Sequence, residues 1–267
     1  MADIEYMSNI RKFLVLITIF SSAQLLAGPE KYDHMDQYKT AGPILQAGPK
    51  EQIVGEASGE VAGTATYTYN NKGQLIQSKY FINEKSDGKT VYHYDKKGLV
   101  EEVLFDAQGK TREKIVYKRN SRNEITSYIV YDGNEKKVLY WQFSYKNGKV
   151  AGGRRIIDKE VTETFKVENR SKDISVQYIY TTGGEKVGSV TIYKKDDKVQ
   201  RRVKEDNTGK YMVEYKYDEQ GRLYEMQYSQ HVRKKTQMKR IHHMVYSSAK
   251  NLSEGKHAPE KISKFEK

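Results

Sequence analysis

The sequence predicts an all-β protein: an antiparallel meander of about 14–16 strands, built from about seven hairpin repeats of about 25 residues and laid out as an open or spiral single sheet. Three observations predict it. Of the 22 tyrosines, 19 lie between Tyr67 and Tyr246, and tyrosine is a strand former that buries a ring while its hydroxyl stays wet. No proline falls between Pro49 and Pro259, as a long run of hydrogen-bonded strands requires. Turn residues also return at a steady interval, with short alternating runs between them. Helix competes poorly, because Gly and β-branched residues recur in every window long enough to hold one.

The first 28 residues have the order of an export signal. Arg11 and Lys12 form a charged end, Phe13–Phe20 is an unbroken apolar run, and Ser21, Ser22, Ala23, Ala27 and Gly28 supply small residues for cleavage. The apolar run is far shorter than the ~20 residues of a spanning helix. With no cysteine in the chain, disulfides, thiol catalysis, thiolate metal sites and a lipid-modified N-terminal Cys are all excluded. The expected location is therefore outside the cytoplasm, in the periplasm or at the cell surface. Residues 29–65 read as a flexible linker, since they hold Pro29, Pro43 and Pro49 and scattered small residues without a sustained period.

Residues 66–247 read as the repeat domain. One turn class is marked by Tyr69-Asn70-Asn71-Lys72-Gly73, Tyr94-Asp95-Lys96-Lys97-Gly98, Asn123, Gly148, a degraded copy at 169–173, Tyr193-Lys194-Lys195-Asp196-Asp197 and Tyr217-Asp218-Glu219-Gln220-Gly221. A second class sits between them at Ser86-Asp87-Gly88, Ala107-Gln108-Gly109, Asp132-Gly133-Asn134, Thr182-Gly183-Gly184 and Asn207-Thr208-Gly209. Asn, Asp and Gly recur there because tight hairpins need positive φ. Two turns per period mean two strands per repeat. In 211–217, Tyr211, Val213, Tyr215 and Tyr217 share one face; in 99–105, Leu99, Val103 and Phe105 share a face with Glu101. Residues 248–267 are polar and read as a basic disordered tail.

Tyr217-Asp218-Glu219-Gln220-Gly221-Arg222-Leu223 resembles the YD repeat of the rearrangement-hot-spot and teneurin-like proteins. Tyr94, Asp95 and Gly98 are similar without the Arg, and Tyr69, Gly73 and Leu75 keep Tyr, Gly and Leu. The resemblance implies stacked β-hairpins in an extracellular or secreted protein, with these residues acting structurally. It brings no catalytic residues.

The remaining chemistry is sparse. His242 and His243 are sequence neighbours and point to opposite faces of a strand, so neither a metal nor a cofactor is expected. Adjacent acids, Glu101-Glu102 and Asp196-Asp197, are likewise split between faces or placed in a turn. No catalytic constellation emerges, and the chain does not read as an enzyme. The formal charge is +12 and mean hydropathy is −0.85, which favours anionic partners. Residues 231–267 carry ten Lys/Arg against three Glu, and the candidate binding residues are Arg233, Lys234, Lys235, Lys239 and Arg240. The compatible partners are anionic polysaccharide, an anionic membrane surface or another envelope protein; export argues against nucleic acid. The reading is a non-catalytic, exported binding or structural module of a bacterial envelope. Two alternatives stand beside it: an outer-membrane β-barrel, and a polysaccharide-acting enzyme using cross-strand carboxylates. Against the barrel stand its need for strands of about 9–11 residues and an outward apolar band, while Lys or Glu interrupts nearly every face.

Overall fold

The computed structural model describes residues 48–232 and 235–246. The expected export signal, the linker up to residue 47, Arg233, Lys234 and the tail 248–267 lie outside the described residues. The described chain forms sixteen antiparallel strands: β1 (Glu51–Glu56), β2 (Val61–Tyr69), β3 (Leu75–Ile82), β4 (Lys85–Asp95), β5 (Gly98–Phe105), β6 (Thr111–Arg119), β7 (Ile125–Asp132), β8 (Lys137–Lys146), β9 (Lys149–Ile157), β10 (Glu160–Asn169), β11 (Ile174–Thr181), β12 (Lys186–Lys195), β13 (Lys198–Asp206), β14 (Gly209–Tyr217), β15 (Leu223–Val232) and β16 (Lys235–Val245).

Each strand pairs with its sequence neighbours, and β1 pairs with β16, so the sheet closes into a barrel. This corrects the open or spiral sheet expected from sequence. The closing ladder runs from Glu51↔Val245 to Glu56↔Arg240. It uses a strand from within the segment expected to be linker: β1 and the start of β2 lie at 51–65. The reason is local. Gln52 and Val54 alternate with exposed-side residues and are both buried, but the small residues around them mask that period. Adding this hairpin gives eight rather than about seven.

Curvature comes from register shifts near the strand ends, such as those at Thr68/Tyr69, His93/Tyr94, Lys118/Arg119, Ser144/Tyr145 and Lys216/Tyr217 at one mouth. At the other mouth they fall at Tyr80/Phe81, Leu104/Phe105, Val130/Tyr131 and Ile179/Tyr180. Bulges raise local twist and bend a sheet toward closure. They also offset the side-chain period, so Leu99 and Glu102 are buried together while Val103 and Phe105 share the opposite, more open side; the sequence had put Leu99, Val103 and Phe105 on one face. The turns are short, two residues at 83–84, 96–97, 147–148, 158–159 and 196–197, which leaves room for strands of 8–11 residues in each period. Gly88 is not a turn residue as expected. It lies in β4, where a Cβ would sit 2.1 Å from the Phe105 carbonyl oxygen, so glycine permits close approach of β5.

Register carries each face around the ring. Gln52, Ala65 and Tyr80 stand opposite one another, as do Tyr128, Trp141 and Arg155 and Val190, Lys204 and Tyr211. This face holds most of the buried side chains, including Val54, Leu75, Trp141, Phe165, Val190, Arg202 and Met226, and it is the concave one, where curvature crowds side chains together. The core is a lining in patches: one over β11–β16 around Val190, Val213, Tyr215 and Met226, another over β3–β5 around Leu75, Tyr92 and Leu99. On the convex face the short side chains of Ser127, Ile129 and Val203 are buried too, beside the longer register partners Lys118, Tyr140 and Met212.

Candidate functional site: the two faces of the barrel wall

The motif residues lie in hairpin turns. Asp218 Oδ1 accepts from the Arg222 amide at 2.8 Å, Asp218 Oδ2 accepts from Arg222 Nε at 2.7 Å, and the Gly221 amide donates to the Asp218 carbonyl at 2.8 Å. Gly221 closes the turn at φ +76°, the left-handed region open to glycine. Asp95 Oδ1 likewise accepts from the amides of Lys97 and Gly98. Asn70 holds the turn containing Gly73 in the same way.

The motif tyrosines have a different task. Tyr217 donates its hydroxyl to the Val199 carbonyl at 2.8 Å, and Tyr94 donates to Leu75 at 2.7 Å. Tyr69 donates to Pro49, Tyr145 to Ile125 and Tyr246 to Leu223. In β6 Arg119 takes this place and donates to the Leu99 carbonyl. Each clamp ties the end of one strand to the start of an earlier one, around a single mouth of the barrel. Tyr193 breaks the series. Tyr193 stands one residue further from its two-residue turn than Tyr94 does from its own, which puts it opposite Arg201 on the outer face, with the Arg201 guanidinium 4.3 Å from its ring.

Inside, polar groups are engaged with one another. At the closing seam Gln52 Nε2 donates to His242 Nδ1 at 2.5 Å, Tyr67 donates to Gln52 Oε1, and the Tyr228 ring lies 4.4 Å from that of His242. The Glu102 carboxylate accepts from the Tyr117 hydroxyl at 2.6 Å. Arg155 pairs with Glu163 at 3.3 Å, close to the cluster of Tyr128, Trp141, Phe143 and Phe165. Burial pushes the Tyr128 phenol well above its ordinary range; Arg155 opposes this, and Glu113 and Glu102 add to it. Asp206 behaves differently: burial raises it, but hydrogen bonds from Lys204 and Thr208 outweigh that and hold it below the usual carboxylate range. Among the described residues no group of three or more His, Asp or Glu is placed to hold a metal ion.

Outside, charge alternates with aromatic rings. Lys79, Lys114, Arg154, Lys166 and Arg201 stand on the outer side of β3, β6, β9, β10 and β13, with Glu101 and Glu214 on β5 and β14. Cross-strand pairs join some of them, as in Lys216–Glu225 at 2.7 Å and Lys210–Glu205 at 2.7 Å. Others lie over rings. Lys89 Nζ is 5.3 Å from the Phe105 ring centroid, Lys114 is 5.4 Å from Tyr131, and Lys137 is 4.2 Å from Tyr140. Further round, Lys166 is 5.9 Å from Tyr180 and Lys186 is 4.6 Å from Tyr178. Such contacts contribute about 0.5–1 kcal/mol each at exposed sites.

Of the basic end expected from sequence, the described side chains are Lys239 and Arg240, which point to different faces. Lys239 is exposed and donates to Gln237 Oε1 at 3.0 Å. Arg240 turns to the other face and pairs with Glu56 at 3.1 Å. Lys235 opens β16, and Arg233 and Lys234 are outside the described residues. Sequence reasoning missed the lysine–aromatic row, although aromatics ahead of the second turn class at Phe81, Phe105, Tyr131 and Tyr180 were a signal for it.

No family model and no curated protein matches the chain. Among solved structures, a porin-like protein from Bacteroides uniformis is similar at 12% identity and a TM-score of 0.51, covering 74% of this chain and 96% of that one. A porin-like protein from Bacteroides vulgatus gives 11% identity and a TM-score of 0.39 over 76% of this chain and 100% of that one. The TcdB2–TccC3 complex gives 11% identity and a TM-score of 0.23 over 64% of this chain and 12% of that one. The YD-like residues occur in the hairpin turns, while the closed wall, rather than a meander with free edges, is the architecture matched over nearly the whole length of the Bacteroides uniformis protein. The chain has the fold of a porin-like β-barrel.

Proposed function

We propose that this chain is an exported, non-catalytic protein of the bacterial envelope whose porin-like barrel stands in water and offers its outer wall as a binding surface. One observation carries the reading: the wall is tyrosine-lined and densely buried on its concave side and charged on its convex side. A lipid-embedded barrel has the reverse sorting, with an apolar outer band. Each Lys or Arg facing lipid at mid-depth costs about 2–4 kcal/mol. Five such residues near mid-strand, Lys79, Lys114, Arg154, Lys166 and Arg201, would together cost an amount comparable with the whole stability of a domain, about 5–15 kcal/mol. Engagement of Glu102 by Tyr117 and of Glu163 by Arg155 supports the non-catalytic reading.

A second reading, an outer-membrane barrel, is favoured by the closed antiparallel wall with an even strand number and by its likeness in fold to a porin-like protein. Phase separation in a nonionic detergent that clouds on warming distinguishes the two. The water-standing barrel stays in the aqueous phase and is released from envelopes by high salt. Recovery in the detergent phase, with single-channel conductance in planar bilayers, would establish the second reading instead.

A further inference from the structure

We infer that the lysine–aromatic row on the outer wall, from Lys89 on β4 to Lys186 on β12, is a docking strip for a linear acidic polysaccharide. The inference rests on the proposed water-standing barrel and moves the anion site away from the C-terminal basic stretch.

The strip is built by register. Lys89 stands opposite Phe105, Lys114 opposite Tyr131, Tyr131 opposite Lys137 and Tyr180 opposite Lys186. Cations and rings therefore alternate from β6 to β8 and again from β10 to β12, with Lys89 and Phe105 paired on β4 and β5. Of the lysines, Lys114 is paired with Glu135 at 3.2 Å, whereas Lys137, Lys166 and Lys186 are exposed and lie over rings. A carboxylate on a bound chain would find these cations without displacing an internal partner. The rings are half-buried, with an edge or face left for the apolar side of a sugar.

Spacing narrows the ligand. Lys114 and Lys137 both stand opposite Tyr131, two strands apart on one register line, and two strand spacings are roughly 9.5 Å. That is about the length of one disaccharide in an extended chain, so a polymer with one carboxylate or sulfate per disaccharide sets successive anions over Lys114 and Lys137. A row one side chain wide on a convex wall suits a linear chain better than a flat lipid surface. The strip also coincides with a departure from the repeat: on β11 Tyr178 and Tyr180 face outward, whereas the motif tyrosines on β2, β4 and β14 clamp inward to the mouth.

The test uses the full chain and three probes: sodium alginate (a polyuronate), neutral dextran, and vesicles containing phosphatidylglycerol. Binding to alginate at low ionic strength, absent for dextran, is expected. The triple variant Lys137→Gln, Lys166→Gln, Lys186→Gln should weaken it at least tenfold. A charge-matched control, Lys172→Gln, Lys194→Gln, Lys195→Gln, removes exposed lysines near the opposite mouth and should change it less than twofold. Far-UV circular dichroism checks that both variants keep the sheet. Equal loss in both triples would reduce the effect to net charge and overturn the strip; so would absence of alginate binding, or binding to vesicles alone. The arms separate this inference from the reading beneath it: a protein found in the detergent phase that still binds alginate through these lysines would end the water-standing proposal and leave the strip in place.

Discussion

Tyr217 shows how a single hydroxyl serves the wall: its hydrogen bond to the Val199 carbonyl fixes the mouth of one hairpin. Tyr217→Phe keeps the ring and removes that bond, so a loss of about 0.5–1.5 kcal/mol is expected in urea unfolding. Tyr193 belongs to the same turn series in sequence but faces outward, and Tyr193→Phe should stay within about 0.5 kcal/mol of the parent. Tyr128 gives a pH dependence. Its phenol is raised above the ordinary value by burial, so its contribution to stability is fully present below the unfolded tyrosine pKa near 10 and is lost as pH rises through the folded value. Absorbance at the phenolate band, compared between the parent and Tyr128→Phe, should assign one late-titrating tyrosine that ionises together with unfolding. At the seam, His242→Ala removes the acceptor for Gln52 Nε2 in a buried site; leaving such a group unpaired should cost about 1–3 kcal/mol.

At the scale of strands and turns, the closing ladder is the most consequential element. Ile53 and His243 are register partners across it, and the chain has no native cysteine. Cross-strand partners lie within disulfide reach, about 4.5–5.5 Å between Cα atoms. The pair Ile53→Cys and His243→Cys should therefore oxidise to an intramolecular bond, seen as faster migration on a non-reducing gel, and raise stability by about 2–4 kcal/mol. In an open meander these residues would sit on opposite edges and no such bond would form. The hairpins themselves were legible, because Asn, Asp and Gly at the turns report positive φ directly. Closure was not. Its first strand hides between Pro49 and Gly59, and bulges shift the face of a residue without changing its composition, as at Leu99 and Glu102. The lysine–aromatic row was legible only as the aromatics ahead of the second turn class; its pairs were not, because Lys89 and Phe105, or Lys114 and Tyr131, are far apart in sequence and meet only through register.

For the whole molecule, architecture and surface chemistry have to be read separately. The closed sixteen-stranded wall is porin-like, but the convex face carries Lys79, Arg154 and Arg201 where a lipid-embedded wall would carry apolar side chains. The distribution of charge, more than strand number, decides which solvent the wall meets. The absence of cysteine makes the deciding measurement clean: a single Cys is introduced in turn at Lys79, Arg154 and Arg201, spin-labelled, and its accessibility is read by electron paramagnetic resonance with a water-soluble nickel chelate and with oxygen, in buffer and with vesicles. A water-standing barrel gives high nickel-chelate accessibility at all three sites, unchanged by vesicles. Protection from the chelate with high oxygen accessibility once lipid is present would contradict it and place the wall in the membrane.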